Sequence, residues 1–383
     1  MKYFVIAGEA SGDIHASQMI KALRKKDQNA EFRFFGGDFM ESASGVAPMV
    51  HYKDMAFMGF IEVIKHLGSI MGFMKTARQI VSEWRPDAVV LVDYPSFNLK
   101  VAKFAHSLNI PVFYYISPKV WAWKEYRVKQ IKEYVTELYS ILPFETDFFA
   151  RHNYRVEYVG NPTVNEIAEA KKNFRTKADF CKDNGIEEGK DIVALLPGSR
   201  KKEITDNLKE MLGAVSRFSE CAPVVGGAPG IDADFYETVF AELGYRDKKP
   251  HVLFGKSFEL VHHAKAAIVT SGTATLETAI IGTPQVVCFR MGGSKLVYNF
   301  YSHLLKVKYV SLPNLIADAP VVKELLLHFC NADNIANELA LLLDEKGERY
   351  KSMMAGYTEI ARRLTDAQSA DTAADRLLKK IQK

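Results

Sequence analysis

The chain has 383 residues, of which 48% are hydrophobic and 25% charged, and this balance is that of a soluble globular protein of two ordinary domains. The 50 basic and 46 acidic residues leave a net charge of +4, which is too small to favour nucleic acid as a partner. The four cysteines lie far apart without a Cys-x-x-Cys pair, which disfavours a zinc site or a disulfide framework and fits a reducing compartment.

Two series of short apolar segments alternate with helix-length segments along the chain. The first series predicts the strands Tyr3–Ala7, Phe32–Phe35, Ala88–Asp93, Val112–Ile116, Leu138–Leu142 and Val156–Val159. The second series predicts the strands Ile192–Leu196, Pro223–Val225, His251–Phe254, Ala266–Val269, Gln285–Phe289 and Tyr309–Leu312. Apolar strands that alternate with helices predict parallel sheets covered on both faces. The pattern therefore indicates two Rossmann-like halves and not one eight-stranded barrel.

The two halves are expected to meet in the turn Gly160–Thr163, which leads into a charged helix. Residues 1–162 then form an N-terminal Rossmann-like domain, and residues 163–365 form a second one. After Pro320 the pattern predicts helix to the end of the sequence. The last helix is amphipathic, and residues 366–383 are expected to pack back on the first domain.

Ligands of doubly wound sheets collect at the carboxyl ends of the strands, so the turns after the strands are the candidate sites. The first such turn, Gly8–Asp13, has two glycines for a tight bend, and Ser11 or Asp13 could cap the helix that follows. It lacks the Gly-x-Gly-x-x-Gly fingerprint, which disfavours NAD as a cofactor. A capped turn explains every residue here except Glu9, whose carboxylate would point into the crevice.

An apolar stripe at helical spacing lies between the second and third predicted strands. Its residues are Phe60, Val63, Ile64, Leu67, Met71 and Met74. A stripe of this kind most often faces a protein core. Its richness in methionine and phenylalanine also suits acyl chains or a membrane surface. The residues alone leave both interpretations open.

Asp93 closes a strand that is otherwise wholly apolar. Desolvation there would raise the pKa of its carboxyl, and a lone carboxylate that faces a crevice is a good general base for a hydroxyl nucleophile. The alternative is a capping or turn residue before Pro95. We favour the catalytic role.

Two tryptophans, Trp121 and Trp123, follow the next predicted strand and lie between Lys119 and Lys124. Aromatic rings beside lysines could stack on a sugar and meet a phosphate. Equally, the two rings could pack against apolar side chains where the two predicted domains meet.

The turn Leu195–Arg200 follows the first strand of the second half. Ser199 offers a backbone amide there, and Arg200 offers a bidentate fork for phosphate oxygens. Lys201 and Lys202 add positive charge at a helix start, where cations oppose the helix dipole. A bound anion would relieve this conflict.

A strand, a small-residue turn and a helix follow one another at Ala266–Ile281. The residues that would form an anion site at this helix start are Ser271, Gly272, Thr273 and Ala274. Glu277 lies about one helical turn on, where its carboxylate could accept hydrogen bonds from the hydroxyls of a ribose. The alternative is an ordinary strand-to-helix turn that binds no anion, followed by a solvated Glu277. Asn314, in the turn after the last predicted strand, could contact the same ligand.

Taken together, the turns predict two Rossmann-like domains that face each other across a cleft. The second domain would bind a nucleotide diphosphate, and the first would supply Asp93 as a base. The reaction that these residues favour is group transfer from a nucleotide-activated donor, with a sugar as the favoured group.

The same motifs, in the same order, resemble those of the bacterial lipid-A-disaccharide synthase family. In the first half they are Gly8–Asp13, Asp93–Asn98, Ser117–Trp123 and Leu142–Glu145. In the second half they are Leu195–Arg200, Ser271–Glu277 and Tyr309–Leu315. The resemblance extends from Gly8 to about Glu324 and covers most of the chain.

The resemblance implies an inverting GT-B glycosyltransferase that joins UDP-2,3-diacylglucosamine to 2,3-diacylglucosamine 1-phosphate (lipid X), giving a β(1→6) disaccharide and UDP. Asp93 would deprotonate the acceptor 6-hydroxyl, and Glu9 would lie beside it. Arg200 would bind the diphosphate, Glu277 the ribose, and Asn314 would line the donor site. No metal cofactor is implied, because positive side chains and helix N-termini would stabilise the leaving UDP. The alternative is another GT-B enzyme on a UDP-sugar, either an epimerase or a soluble-acceptor transferase.

The chain departs from the family pattern beside two of these motifs. Lys119 and Lys124 stand where many members have a small polar residue and an arginine. Ser96 stands where an aspartate is common, which leaves Asp93 as the only acid in its loop.

Two features bear on location and partners. No apolar run approaches the ~20 residues that span a bilayer, and the N-terminal segment reaches acidic residues too early for a signal peptide. We therefore expect a cytoplasmic protein. The resemblance implies a peripheral position on the cytoplasmic face of the inner membrane, with the apolar stripe toward acyl chains. Nucleic acid is not an expected partner, and homo-oligomer formation is left open.

Overall fold

The chain divides into two compact units, seen in a computed structural model. The structure describes residues 1–55, 67–122, 124–245, 249–290, 308–364 and 368–382. The first unit consists of Met1–Pro162 with Asp366–Lys383, and the second of Thr163–Thr365. Each unit contains a parallel sheet combined with helices, so the predicted α/β class with two Rossmann-like halves is confirmed.

The first unit is built on a seven-stranded sheet. Its strands are β1 (Lys2–Ala7), β2 (Glu31–Gly36), β3 (Val50–His51), β4 (Ala88–Val92), β5 (Val112–Tyr115), β6 (Glu137–Ser140) and β7 (Glu157–Tyr158). Its described helices are α1 (Ala10–Lys26), α2 (Asp38–Ser44), α3 (Tyr52–Met55), α4 (Leu67–Gln79), α5 (Pro95–Ser107), α6 (Arg127–Tyr134), α7 (Phe144–Arg151) and the C-terminal helix Ser369–Ile381. A π-helical turn, Ile80–Trp84, follows α4 directly.

The second unit is built on a six-stranded sheet. Its strands are β8 (Asp191–Leu196), β9 (Cys221–Gly227), β10 (His251–Phe254), β11 (Ala266–Thr270), β12 (Gln285–Phe289) and β13 (Lys323–Leu326). Its described helices are α8 (Pro162–Lys171), α9 (Lys177–Asp183), α10 (Lys201–Val215), α11 (Ala233–Glu242), α12 (Ser257–His263), α13 (Thr273–Ile281), α14 (Leu312–Ala317), α15 (Ala332–Leu343) and α16 (Glu348–Arg363). The helix Ser369–Ile381 of the first unit is α17.

Both sheets have the same doubly wound topology. The strand order is β3-β2-β1-β4-β5-β6-β7 in the first unit and β10-β9-β8-β11-β12-β13 in the second. In each unit the first strand lies in the middle, the chain adds strands on one side, and it then crosses to the other side. The crossing points lie between β1 and β4 and between β8 and β11. These central strands are apolar and buried because helices cover both faces of the sheet.

Two predictions for the end of the second sheet are wrong. The stretch Tyr309–Leu312 is not a strand: α14 begins at Leu312, with Ser311 as the N-cap residue and Pro313 in the first turn. Proline fits the first turn of a helix, whose N–H groups have no intrahelical acceptor. The last strand is instead Lys323–Leu326, inside the stretch predicted to be wholly helical. Its four residues are too few to give a strand signal in the sequence.

The C-terminal helix α17 packs on α1 of the first unit, as predicted. Its buried residues are Ser369, Ala373, Ala374 and Leu377. At the rim, Lys26 Nζ lies 2.8 Å from Asp375 and Arg376 Nη2 lies 2.9 Å from Glu157. Burying one leucine contributes about 1.5–3 kcal/mol, whereas an exposed ion pair contributes about 1 kcal/mol or less. The apolar face therefore does most to hold α17 in place.

Candidate active site

The predicted acids of the first unit lie at its crossing point. Strands β1 and β4 are neighbours in the sheet, with Ala7 opposite Val92. Glu9 follows the carboxyl end of β1, and Asp93 follows the carboxyl end of β4. Parallel sheets of this topology bind ligands in the crevice at such a point. The fold therefore brings these two acids to the same edge of the sheet.

The turn at Asp93 is held in an unusual backbone conformation. Asp93 has a φ of 42° and Tyr94 a φ of 47°, both in the left-handed region that non-glycine residues rarely adopt. The Asp93 carbonyl accepts hydrogen bonds from Asn98 Nδ2 at 2.7 Å and from the Tyr114 hydroxyl. Asn98 and Tyr114 are fully buried, so the turn is fixed from within the protein. Such locally strained turns are characteristic of functional sites.

The carboxyl of Asp93 is half-buried. Burial raises its pKa above the ordinary value of 3.8, while the positive charge of Lys119 and a hydrogen bond from the Tyr94 backbone N–H oppose the shift. The direction is the one expected from the sequence. A partly desolvated carboxylate is suited to accept a proton from a hydroxyl.

Tyr94, which was not among the predicted site residues, connects Glu9 to this turn. Its ring lies against Gly8, where an added Cβ would come within 2.4 Å of Tyr94 Cγ, so only glycine permits this approach. The Tyr94 hydroxyl donates to the Met55 carbonyl at 2.9 Å. Burial, and next the negative charge of Glu9, raise the pKa of the Tyr94 hydroxyl. The Glu9 carboxylate therefore lies close to the residue that follows Asp93.

Asp13 caps a different helix from the one expected. Its carboxylate accepts hydrogen bonds from the backbone N–H groups of Gly37 at 2.7 Å, Phe39 at 3.1 Å and Met40 at 3.2 Å. These are the groups at the start of α2, whereas the N-cap residue of α1 is Glu9 and uses no side-chain cap. The expectation that Ser11 or Asp13 caps α1 is thus wrong, because the neighbouring helix offers Asp13 three N–H donors.

The predicted donor-binding turns of the second unit also lie at its crossing point. Strands β8 and β11 are neighbours, with Leu196 opposite Val269. Asn207, fully buried on α10, bridges the turns that follow them. Its Nδ2 donates to the Pro197 carbonyl at 3.1 Å and to Thr270 Oγ1 at 2.9 Å. The structure therefore fixes two sequence-distant turns side by side through a residue that the sequence did not single out.

In the first of these turns, the carboxylate of Glu203 already neutralises the positive charge of Arg200. The Ser199 backbone N–H donates to Glu203 Oε2 at 3.2 Å, and Arg200 pairs with the other oxygen of the same carboxylate. Gly198 has a φ of 120°, and an added Cβ there would lie 2.8 Å from Glu203 Oε2. Lys202 pairs with Asp206 at 2.9 Å. Acids of α10 itself, which were not among the predicted site residues, thus relieve the conflict between these cations and the helix dipole.

The second turn leads into α13 from Gly272, which has no side chain to cap the helix. Ser271 Oγ donates to the Val310 carbonyl at 3.0 Å, and Thr275 Oγ1 to the Gly272 carbonyl at 2.7 Å. The side chains of Ala274 and Glu277 are half-buried, and that of Thr273 is exposed. A helix start with a glycine cap can receive an anion at its first N–H groups.

Asn314 lies in the first turn of α14 and is 1% exposed. Its Nδ2 donates to the Val322 carbonyl at 3.0 Å and to Glu324 Oε1 at 2.9 Å, and its Oδ1 accepts from the Val322 N–H at 2.8 Å. Glu324 also accepts from the Ser311 hydroxyl at 2.6 Å. Asn314 and Glu324 line a cavity of about 370 Å³ together with Tyr309. The amide of Asn314 thus supports the local fold, and its contact with a donor stays a prediction.

The predicted apolar stripe is only partly described. Phe60, Val63 and Ile64, and the side chain of Leu67, lie outside the described part of the structure. On α4, Met71 is 66% exposed, whereas Met74 is half-buried and packs against the core of the first unit. The described stripe thus combines an exposed residue with a core residue.

Glu145, in the first turn of α7, is a buried acid without a predicted role. It is 1% exposed and accepts hydrogen bonds from Trp121 Nε1 at 3.0 Å and Ser140 Oγ at 2.5 Å. Burial raises its pKa to about 7, although these two hydrogen bonds and the charge of Lys119 oppose the shift. Trp121 packs edge to face on Phe144, so its ring belongs to this cluster. Trp123 lies outside the described residues.

Among the described helices, none combines the length and the apolar character that crossing a membrane requires. The same described residues contain no group of three or more His, Cys, Asp or Glu side chains that could hold a metal ion.

The sequence matches one family over nearly its whole length. The family model described as lipid-A-disaccharide synthetase matches residues 3–377. The chain is 36% identical over 382 residues to a lipid-A-disaccharide synthase of Acidobacterium capsulatum, covering 97% of this chain and 93% of the relative. It is 36% identical over 381 residues to the enzyme of that name from Myxococcus xanthus, covering 98% of this chain and 97% of the relative.

Solved structures share the fold at low sequence identity. The UDP-GlcNAc 2-epimerase of Neisseria meningitidis bound to UDP-GlcNAc aligns with a TM-score of 0.68 and 12% identity, and the alignment covers 100% of both chains. The glycotransferase of kitacinnamycin aligns with a TM-score of 0.65 and 11% identity over 99% of each chain. These likenesses confirm the GT-B class of two parallel-sheet α/β domains.

Proposed function

The chain belongs to the lipid-A-disaccharide synthase family and is a glycosyltransferase of lipid A biosynthesis, and we propose the substrates, the mechanism and the residues of its reaction. The donor is UDP-2,3-diacylglucosamine, and the acceptor is 2,3-diacylglucosamine 1-phosphate (lipid X). The products are the β(1→6) disaccharide 1-phosphate and UDP. The family match over residues 3–377 supports this assignment.

In the proposed reaction, the acceptor 6-hydroxyl oxygen attacks C1 of the donor sugar while the bond from C1 to the diphosphate oxygen breaks. The hydroxyl proton moves to Asp93, and the electron pair of the broken bond leaves with UDP. A single displacement converts an α-linked donor into a β-linked product. The half-buried Asp93 at the crossing point of the first unit, in a turn fixed by Asn98 and Tyr114, is the observation that carries this proposal. Glu9 acts beside it by orienting the acceptor.

The second unit is proposed to bind UDP through its two bridged turns. Ser199, Arg200 and the N-terminal amides of α13 hold the diphosphate, and Glu277 accepts hydrogen bonds from the ribose. Residues 271–274 supply these amides, and Asn314 supports the wall of the donor site. Helix N-termini and an arginine stabilise the negative charge that develops on the leaving UDP, so the proposed transfer requires no metal ion.

The first unit is proposed to meet the acyl chains and the cytoplasmic face of the inner membrane. The exposed Met71 on α4 supports this orientation because pliable apolar side chains suit an acyl environment. No nucleic acid takes part in the proposed reaction. Self-association is not needed for it.

The test is an assay of the purified protein with both lipid substrates, followed by thin-layer separation. We expect a disaccharide 1-phosphate whose formation depends on both substrates. The competing function is epimerisation of a UDP-sugar or transfer to a soluble acceptor. The assay tests it because the chain shares its fold with a UDP-GlcNAc 2-epimerase. Turnover of UDP-N-acetylglucosamine without any lipid disaccharide would favour that function instead.

A further inference from the structure

Arg127, the first residue of α6, reaches the turn that carries the proposed base. Its Nη2 donates to Ser96 Oγ at 2.8 Å, and Ser96 lies three residues after Asp93 in the first turn of α5. Tyr114, whose hydroxyl donates to the Asp93 carbonyl, has a pKa raised by burial, and the positive charge of Arg127 acts against that shift. The guanidinium therefore lies beside the Asp93 turn and not on a remote surface.

Arg127 has more N–H donors than its hydrogen bond to Ser96 uses. A guanidinium carries five N–H donors, and the Ser96 hydroxyl takes one of them. Within the described ranges, Arg127 makes no salt bridge. By contrast, Arg376 of the same unit pairs with both Glu137 and Glu157. A half-buried arginine whose bonded partner is neutral is suited to receive an anion.

Lys119 also lies near this turn. It is exposed, in the loop between β5 and α6. Burial raises the pKa values of both Asp93 and Glu145, and the positive charge of Lys119 lowers them. The ammonium of Lys119 therefore lies near both acids. Lys119, too, is without a salt bridge to any residue that the structure describes. Two cations thus border the turn of the proposed base.

We propose that Lys119 and Arg127 bind the phosphate group of the sugar acceptor. This inference rests on the proposed function and assigns residues to one part of its acceptor. The guanidinium of Arg127 supplies parallel N–H donors to two phosphate oxygens, and Lys119 supplies a mobile point charge. The phosphate on C1 and the carbon that bears the 6-hydroxyl, attached to C5, flank the ring oxygen of the acceptor sugar, so the ring limits the distance between the two groups. Holding the phosphate therefore directs the hydroxyl toward Asp93.

The test compares two acceptors that differ only in the phosphate: lipid X and the same diacylglucosamine without its phosphate. The variants are Arg127→Gln and Lys119→Met, and Lys119 is exposed, so its replacement leaves the fold intact. Lys129→Gln is the matched control, because it removes one charge from an exposed position of the same helix α6. We expect each test variant to lose roughly tenfold to a hundredfold in kcat/KM with lipid X, and less than about twofold with the dephosphorylated acceptor. The control should match the wild type with both acceptors.

Three results would overturn the proposal. An equal loss with both acceptors would show that the residues only hold the Asp93 turn. A wild type that does not distinguish the two acceptors would exclude a phosphate site. Weakened sedimentation of the variants with phosphatidylglycerol vesicles, together with unchanged kinetics, would assign the cations to membrane phospholipid instead.

Equilibrium binding of the two acceptors without donor separates this inference from the proposed function. If the wild type transferred no sugar but bound lipid X through Arg127 and Lys119 more tightly than its dephosphorylated form, the function would fail and the phosphate site would stand. If transfer occurred but binding ignored the phosphate, the function would stand and the phosphate site would fail.

Discussion

The side-chain amide of Asn207 donates to the Thr270 hydroxyl at 2.9 Å and so joins the two turns of the second unit that we propose hold UDP. The same nitrogen donates to the Pro197 carbonyl at 3.1 Å. Because Asn207 is fully buried, water does not compete for the two hydrogens of its amide nitrogen. A single side chain outside both turns therefore joins them, in addition to the pairing of β8 with β11.

Replacing Asn207 with alanine should damage both stability and donor binding. The change leaves the buried Pro197 carbonyl and Thr270 hydroxyl without this donor, which costs about 1–3 kcal/mol of the free energy of unfolding. UDP affinity, measured by titration calorimetry, should fall because the turns are no longer held together. Asn334→Ala is the control, since that amide donates to the Phe329 carbonyl at the surface. Unaltered UDP affinity in a folded Asn207→Ala protein would argue against the bridge as a donor-site support.

Replacing Glu203 with glutamine should tighten UDP binding. Glu203 now pairs with Arg200 and occupies the start of α10, so an incoming diphosphate competes with its carboxylate. The pair is largely exposed, and its removal should raise UDP affinity only about two- to fivefold. Asp206→Asn is the matched control, because it removes a carboxylate one turn further on that pairs with Lys202. Weaker binding by Glu203→Gln than by the control would mean that Glu203 positions Arg200 for the ligand.

Glu145 should make stability depend on pH. Burial raises its folded-state pKa from 4.5 to about 7, so the folded protein keeps this proton at pH values where the unfolded chain has released it. Its contribution is most favourable below pH 4.5, is lost as pH rises toward about 7, and is constant above that. The total change is on the order of 3 kcal/mol.

Urea unfolding at acid and mildly alkaline pH measures this effect of Glu145. The wild type should lose more stability between the two conditions than Glu145→Gln, in which the titrating group is absent. Glu133→Gln, an exposed position on α6, should behave as the wild type does. Identical pH profiles for the wild type and Glu145→Gln would exclude the raised pKa.

The two described methionines of the apolar stripe should respond differently to serine. Met71→Ser should reduce sedimentation with liposomes and raise the apparent KM for the lipid substrates, without affecting the unfolding midpoint, because Met71 is 66% exposed. Met74→Ser should instead cost about 1–2 kcal/mol of stability, since Met74 packs on the core. Equal liposome binding by the wild type and Met71→Ser would remove Met71 from the membrane face.

Replacing Asp93 with asparagine should abolish sugar transfer and spare the fold. Loss of a general base lowers turnover by roughly a hundredfold to ten thousandfold. UDP affinity and the melting temperature should remain near those of the wild type, because the buried Asn98 and Tyr114 hold the turn through the Asp93 carbonyl. Asp147→Asn, an exposed position on α7, is the control. Retained transfer by Asp93→Asn would refute its role as the base.

The sequence predicted the positions of Asp93 and Ser271 well because both follow long apolar strands. Once such strands pair in parallel, the turns after them must lie at one edge of the sheet. The bridge from Asn207 to Thr270 was not predictable in this way, since 63 residues separate the partners and no pattern links them. The burial of Glu145 was equally unpredictable from the sequence, because an acid in the first turn of a helix usually faces water.

The pairing of Arg200 with Glu203 could have been predicted. An acid at the third position of a helix commonly accepts an N–H from the residues that precede the helix, and Glu203 stands at that position. The strand Lys323–Leu326 could not be recognised, because four residues with two charges carry no period that separates strand from helix.

The anomeric configuration of the product tests the central claim most directly. The wild-type protein would be supplied with UDP-2,3-diacylglucosamine and lipid X, and the purified product examined by NMR for the coupling at its new anomeric proton. A β(1→6)-linked disaccharide 1-phosphate, formed together with one UDP per disaccharide, is the predicted result. An α linkage, or a converted UDP-sugar with no disaccharide, would contradict inversion by a single displacement with Asp93 as the base.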